Sequence, residues 1–233
     1  MLADYAAGEK GARVAARSGA SVVVVDAYRA STTIAVLVEK GARVVPVASI
    51  EEAAQCTGVD YRIGERSSAK VKGFDFGNSP TEIQAADITP GATVAVSTTN
   101  GTRIIEAAHG APAILTGAFV NAHAVADHLA ANERDSRVMT VGCGWEGRRA
   151  SEDESAAGAI LARLHERGVS LDERAERVVD LYRRRPERSL RNNSAARRLK
   201  RLHYDHDLDF CLALNAVPVS PRLLDGAFVE SGR

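Results

Sequence analysis

Hydrophobic and polar positions alternate in blocks along this chain. Ser21–Asp26 (SVVVVD) is a β-branched run closed by an acid, the pattern of a strand buried on both faces. Ala30–Lys40 follows as a helix, with Ser31 or the adjoining threonines to cap it and Gly41 to end it. ARVVPVA predicts a second strand and SIEEAAQC a short helix, where Ser49 and Glu52 have capping-box spacing. Residues 60–65 (DYRIGE) predict a third strand, and 66–80 (RSSAKVKGFDFGNSP) a long polar loop of the kind that usually carries function. TVAVSTTNGTRIIEAA then reads as strand, loop and helix, APAILTGAFV as strand into loop, and NAHAVADHLA as helix. Residues 137–168 repeat the strand, loop and helix order. Such alternation predicts an α/β fold with a parallel or mixed sheet flanked by helices.

The two ends differ from this middle. Met1–Ala20 reads as a polar N-terminal extension, helical or frayed. Arg163–Arg201 is helical and basic, with 13 Lys and Arg against 6 Asp and Glu. Acids are mixed in and aromatics do not interleave, so a solvated helix face explains it better than nucleic-acid binding. LDFCLALNAVPVSPRLLDGAFVE supplies apolar pieces able to return to the core. With no repeat and no linker, residues 1–233 read as a single domain, at most two-lobed.

Composition narrows the function classes. Of 233 residues, 45% are hydrophobic and 26% charged, as in globular proteins. Lys plus Arg and Asp plus Glu are both 30, so no global field recruits nucleic acid or a membrane surface. Three scattered cysteines make neither a disulfide framework nor a zinc cluster. Apolar runs are far below the ~20 residues of a membrane span, and residues 1–21 hold no apolar stretch of signal-peptide length. The expectation is a soluble, reduced, cytoplasmic protein.

In open α/β sheets, ligands collect where strand ends run into helix N-termini. Here those ends carry Asp26-Ala-Tyr-Arg29 with Ser31-Thr32-Thr33; Gly64-Glu65-Arg66; Gly73–Pro80 (GFDFGNSP); Thr98–Thr102 (TTNGT); and Gly142–Gly147 followed by Glu152-Asp153. Each has a plainer reading. Asp26 would serve as a helix cap, TTNGT as a tight turn, and Ser151 with Glu154 as an N-cap. The functional readings are a carboxylate site for magnesium at Asp26 and an anion cradle at TTNGT. No GxxxxGK[ST] and no HExxH occur, so a P-loop nucleotidase and a zinc hydrolase are unsupported. His203 and His206, among Asp205, Asp207 and Asp209, read as a solvated segment. Cys143 and Arg149 match Cys-x5-Arg, a thiol-phosphatase loop. Against that, Glu146, Glu152 and Asp153 crowd the loop with negative charge, which raises a thiol pKa.

VVVVDAYRASTTI, GER, GFDFGNSP, TTNGT and the Cys143 loop leading to Glu152-Asp153 stand in one order, and together they resemble the 2-phosphosulfolactate phosphatases. The resemblance runs from Ser21 to about Pro218. It implies a three-layer α/β/α fold with a mixed, largely parallel sheet. It also implies a Mg²⁺-dependent phosphatase that converts 2-phospho-3-sulfolactate to 3-sulfolactate and phosphate, a step toward coenzyme M. On that reading Asp26, with Glu65, Asp75 or Asp153, holds Mg²⁺, and Asp26, Arg29 and Asp153 form the catalytic group. Arg29 and Arg66 take phosphate or sulfonate, while Asn78, Ser79, Thr98, Thr99, Asn100 and Thr102 donate to the substrate. A small anionic phosphate ester is the expected partner, and a homo-oligomer is compatible with it. Three departures stand out: the polar start, Ser67-Ser68 where glycines often follow Gly-Glu-Arg, and Tyr28 in place of an aliphatic residue. Two alternatives remain beside the metal enzyme. One is a metal-independent thiol phosphatase using Cys143 and Arg149; the other is a non-catalytic sensor of an anionic metabolite.

Overall fold

The computed structural model describes residues 1–133, 137–145 and 147–232. The chain opens with β1 (Leu2–Ala7), α1 (Gly8–Arg17), β2 (Ser21–Val25), α2 (Ala30–Glu39), β3 (Arg43–Pro46) and α3 (Ile50–Gln55). Next come β4 (Tyr61–Arg66), β5 (Ala69–Lys70), α4 (Pro80–Ala85), β6 (Thr93–Ser97), α5 (Gly101–Ala107), β7 (Ile114–Thr116) and α6 (Ala122–Asn132). The remainder is β8 (Arg137–Gly142), α7 (Ser151–Glu166), β9 (Ser170–Leu171), α8 (Glu173–Arg184), α9 (Glu187–Leu190), α10 (Ser194–Arg201), α11 (Asp205–Cys211), β10 (Pro221–Leu224) and β11 (Ala227–Glu230).

All eleven strands form one mixed sheet, in the order β5-β4-β6-β3-β11-β10-β7-β2-β8-β1-β9. One parallel block is β4-β6-β3 and the other β7-β2-β8-β1-β9. The C-terminal hairpin β10–β11 joins them through antiparallel bridges, Arg222 to Leu115 and Phe228 to Val44. Asp225 and Gly226, both with positive φ, make its two-residue turn, the backbone an Asp-Gly hairpin requires.

The valine run of β2 shows why the sheet is covered on both faces. Val22 and Val24 enter a core with α1, α2 and α5, whereas Val23 and Val25 enter one with α6, α7 and α8. Alternate side chains of a strand point to opposite faces, so a continuous apolar run needs helices on each. Each buried valine contributes about 1.5–3 kcal/mol relative to exposure. The result is the expected three-layer α/β/α arrangement. Ala30 through Val38 of α2 are all buried, against β3, β7, β10 and β11.

The N-terminal expectation is corrected. Residues 2–7 (LADYAA) form no frayed extension but a strand hydrogen-bonded between β8 and β9. Among the described residues, no helix is long and apolar enough to cross a membrane. The basic stretch is mostly a solvated face, since Arg177 and Arg184 are exposed and pair with Glu173 and Asp180 one turn earlier. Three of its arginines, Arg163, Arg185 and Arg198, turn inward instead.

Candidate active site

Asp26 follows the last residue of β2, and the chain turns there into α2. Its only side-chain hydrogen bond among the described residues is a long one, from Ala30 N at 3.4 Å. Helix capping is therefore a poor account of it. Ser31 does not cap α2; its Oγ accepts from Asp26 N at 2.8 Å and receives Thr116 Oγ1 at 2.7 Å, which fixes the turn. Burial, and then the charge of Glu65, push the half-buried Asp26 carboxyl up to about 7.

The TTNGT loop between β6 and α5 packs against this turn. A Cβ at Gly101 would lie 3.1 Å from Thr98 Oγ1, 3.2 Å from Ala30 Cβ and 3.4 Å from an Asp26 carboxylate oxygen. Any larger residue would push the two loops apart by a few tenths of an ångström. Thr102 Oγ1 donates to Thr98 O and is part of the loop's own framework. Thr99 gives both its amide and its hydroxyl to Glu65 Oε1, at 2.8 and 2.6 Å. Ser68 N donates to the other Glu65 oxygen at 2.7 Å. Glu65 thus ties the TTNGT loop to the β4–β5 turn.

A small cavity of about 20 Å³ is lined by Asp26, Tyr28, Arg29, Glu65, Ser68, Asn78, Thr98, Asn100 and Trp145. It holds about one water-sized particle. Three of these lining residues carry a buried oxygen without a hydrogen-bond partner among the described residues: Tyr28 Oη, Asn78 Oδ1 and Thr98 Oγ1. Buried polar atoms are rarely left so. The residues lining this space bring hard oxygens: the Asp26 carboxylate, the Glu65 carboxylate already engaged by Ser68 and Thr99, an amide oxygen and hydroxyls. That set suits Mg²⁺, which takes one or two carboxylates and completes its octahedron with water and substrate phosphate. Among the described residues no group of three or more His, Cys, Asp or Glu is placed to hold a metal ion, so the expected set Asp26, Glu65, Asp75 and Asp153 does not converge as one cluster. A separate cavity of about 510 Å³, between α5 and the β10–β11 turn, meets this region through Thr102.

The other expected residues divide sharply. Asp153 is buried behind Asp26, and its two oxygens accept from Ala27 N at 2.9 Å and Gly144 N at 2.8 Å. Burial first, then Asp26 and Glu152, hold its pKa well above the usual range. It joins the β2–α2 loop to the Cys143 loop. Arg29 reaches the cavity wall, but its guanidinium is engaged, by Asp207 at 2.6 Å and Ser68 O at 2.7 Å. Ser79 Oγ donates to Asp207 and caps α4 by accepting from Glu82 N. Arg66 is exposed and donates to the Glu65 carbonyl. Asp75 is not brought to the site; it is exposed, and its carboxylate accepts from Arg62 N at 2.7 Å. Ser151 and Glu154 form no cap, because Glu154 is taken by Arg149 and Arg185.

Three residues of the site went unrecognised in the sequence. Asp207, read as solvated, is 1% exposed and accepts from Arg29, Ser79 and Thr81. Trp145 lines the cavity, and Arg198 from α10 stacks on its ring with 3.6 Å to the centroid. The Cys143 loop is no phosphate cradle in this geometry. Cys143 is buried, and burial, then Asp26 and Asp153, push its thiol well above the ordinary value. Arg149 turns away to Glu154. Glu146 lies outside the described residues.

Comparison with known proteins identifies the family. The family model described as 2-phosphosulpholactate phosphatase matches residues 10–226. A protein of Parasynechococcus marenigrum named "Probable 2-phosphosulfolactate phosphatase" is 40% identical over 215 residues, covering 86% of this chain and 88% of its own length. A protein of that name from Thermotoga petrophila is 35% identical over 212 residues, covering 90% and 91% of the two chains. Another, from Carboxydothermus hydrogenoformans, is 37% identical over 223 residues and covers 91% of each. The chain belongs to the 2-phosphosulfolactate phosphatase family, a family of phosphoric monoester hydrolases.

Proposed function

We propose that this protein hydrolyses 2-phospho-3-sulfolactate to 3-sulfolactate and phosphate with Mg²⁺ at the Asp26 cavity. One observation carries the reading. A carboxylate almost without internal donors stands at a strand end, among cavity-lining residues whose oxygens lack partners, in a chain of a phosphatase family. Asp26, Glu65, Glu152 and Asp153 crowd this region, while Arg29 is neutralised by Asp207. A polyanionic ester would be repelled from so acidic a site without a cation.

Asp26, Asn78 Oδ1 and Thr98 Oγ1 would hold Mg²⁺, with Glu65 supporting from behind. When bound, the metal would neutralise charge on the phosphoryl oxygens and orient a water for attack. The chain's own work is positioning. Glu65 fixes the Ser68 and Thr99 amides, Asp153 fixes Ala27 and Gly144, and Asp207 fixes Arg29 and α4. Preorganisation of this kind keeps the developing charge within reach of fixed partners.

The test is phosphate release from a panel of monoesters, 2-phospho-3-sulfolactate included, with Mg²⁺ and with EDTA. Release with Mg²⁺ and its abolition by EDTA are expected. Cys143→Ser should retain activity within about threefold, since a thiol held protonated is no nucleophile. EDTA-resistant turnover that a folded Cys143→Ser variant loses would instead establish a thiol phosphatase.

A further inference from the structure

We propose that Arg198 binds the substrate's non-reacting anion, an inference that rests on the phosphatase reading above. The expected clamps do not serve, since Arg29 is engaged on both terminal nitrogens and Arg66 lies exposed on its own strand. Arg198 is differently held. Its guanidinium lies over the Trp145 ring, and Nε donates to Ser68 Oγ at 2.9 Å. Ring and hydroxyl together fix its plane and one edge. Its terminal nitrogens have no hydrogen bond or ion pair among the described residues. Three other arginines that turn inward meet carboxylates, Arg29 with Asp207, Arg185 with Glu154 and Arg163 with Asp127, and Arg62 is taken up by the Ala53 and Cys56 carbonyls.

Both residues that Arg198 touches, Trp145 and Ser68, line the Asp26 cavity. The cation therefore borders the reaction centre and, among the described residues, belongs to no internal salt bridge. It is half-buried, and the loss of water favours its pairing with an incoming anion. A guanidinium stacked on indole keeps its in-plane N–H groups free, in a fork that matches sulfonate or carboxylate oxygens. The β4–β5 turn adds a feature of this chain. Ser67 and Ser68 both take positive φ, 52° and 70°, where glycine is the easier residue. The second of these serines supplies the hydroxyl that anchors Arg198.

The test uses the full-length enzyme with Mg²⁺, as wild type, Arg198→Gln and Arg198→Lys. Three substrates are compared: 2-phospho-3-sulfolactate, 2-phospholactate, which lacks the sulfonate, and ethyl phosphate, which lacks both extra anions. In Arg198→Gln, kcat/KM for phosphosulfolactate should fall at least ~30-fold further than for ethyl phosphate, chiefly through KM. A parallel extra loss with 2-phospholactate assigns Arg198 to the carboxylate, and its absence assigns it to the sulfonate. Arg198→Lys keeps the charge without the fork and should fall between. Trp145 is the only tryptophan, so its fluorescence reports binding without turnover. Titration with 3-sulfolactate should shift at least ~10-fold to higher concentration in Arg198→Gln. Equal loss on all three substrates, or unchanged discrimination, would overturn the assignment. Should wild type release phosphate from none of them, the phosphatase reading falls, and the fluorescence titration still decides whether Arg198 binds the anion.

Discussion

Asp207 accepts from the Arg29 guanidinium and Asp26 stands three residues before Arg29 in the same turn, yet the surroundings of the two carboxylates could hardly differ more. Asp207 accepts from Arg29 at 2.6 Å, from Ser79 Oγ at 2.7 Å, and from Thr81 N and Oγ1 at 3.2 and 2.5 Å. Asp26 has one long contact, from Ala30 N, and a neighbouring carboxylate that raises its pKa. A carboxylate ringed by donors is stable as it stands and holds α11, α4 and the Arg29 turn together. A carboxylate withdrawn from water without donors lacks a cation or a proton. The same contrast separates Arg29 from Arg198. Residue type is alike in each pair, but Asp207 and Arg29 are buried and fully engaged, whereas Asp26 and Arg198 are half-buried with few partners, and that difference distinguishes framework from chemistry.

The sharpest way to break the comparison is to remove Asp207. Asp207→Ala leaves the Arg29 charge buried and unpaired, which costs about 3–5 kcal/mol. At about 2–4 °C per kcal/mol for a chain of this size, the melting temperature should drop by roughly 6–20 °C. A drop under about 2 °C would mean that the Asp207 knot is not structural.

A smaller effect sharpens the other side. An acid whose folded pKa lies above its unfolded value stabilises most at low pH and loses that contribution as pH rises through the folded value. For Asp26 the window runs from 3.8 to about 7. In EDTA, the melting temperature of wild type should therefore decline between pH 5 and pH 8, and more steeply than that of Asp26→Asn. Saturating Mg²⁺ should raise the wild-type value more at pH 8 than at pH 5, because the metal favours the ionised carboxylate. Identical pH slopes for the two proteins would remove the case for a strained Asp26.

Local pattern revealed β2 and α2 because SVVVV and ASTTIAVLV carry their burial in composition. It also revealed the Ser49 cap, whose partner Glu52 N is three residues away. What depended on distant partners was hidden. Residues 2–7 lack β-branched side chains and become a strand only because β8 and β9 flank them. Asp225-Gly226 is a hairpin signal in its own right, but nothing nearby says that the hairpin joins two halves of a sheet. Asp207 lies among charged neighbours and is buried by Arg29, 178 residues earlier in the chain. Arg198 looks like its basic neighbours until Trp145 and Ser68 meet it. Asp75 misled in the opposite sense, since a promising motif acid serves the backbone of Arg62.

The central claim is that Asp26 is the chemical carboxylate of this site. Its most direct test is the kcat of purified, folded Asp26→Asn on 2-phospho-3-sulfolactate at saturating Mg²⁺. Asparagine keeps the size of the side chain and its reach to Ala30 N but removes the charge. The expected outcome is a loss of at least ~10²-fold, as when a single electrostatic group is taken from an active site, with the melting temperature held or raised. Near-wild-type turnover by a folded Asp26→Asn would contradict the account and move the reaction centre elsewhere on the rim.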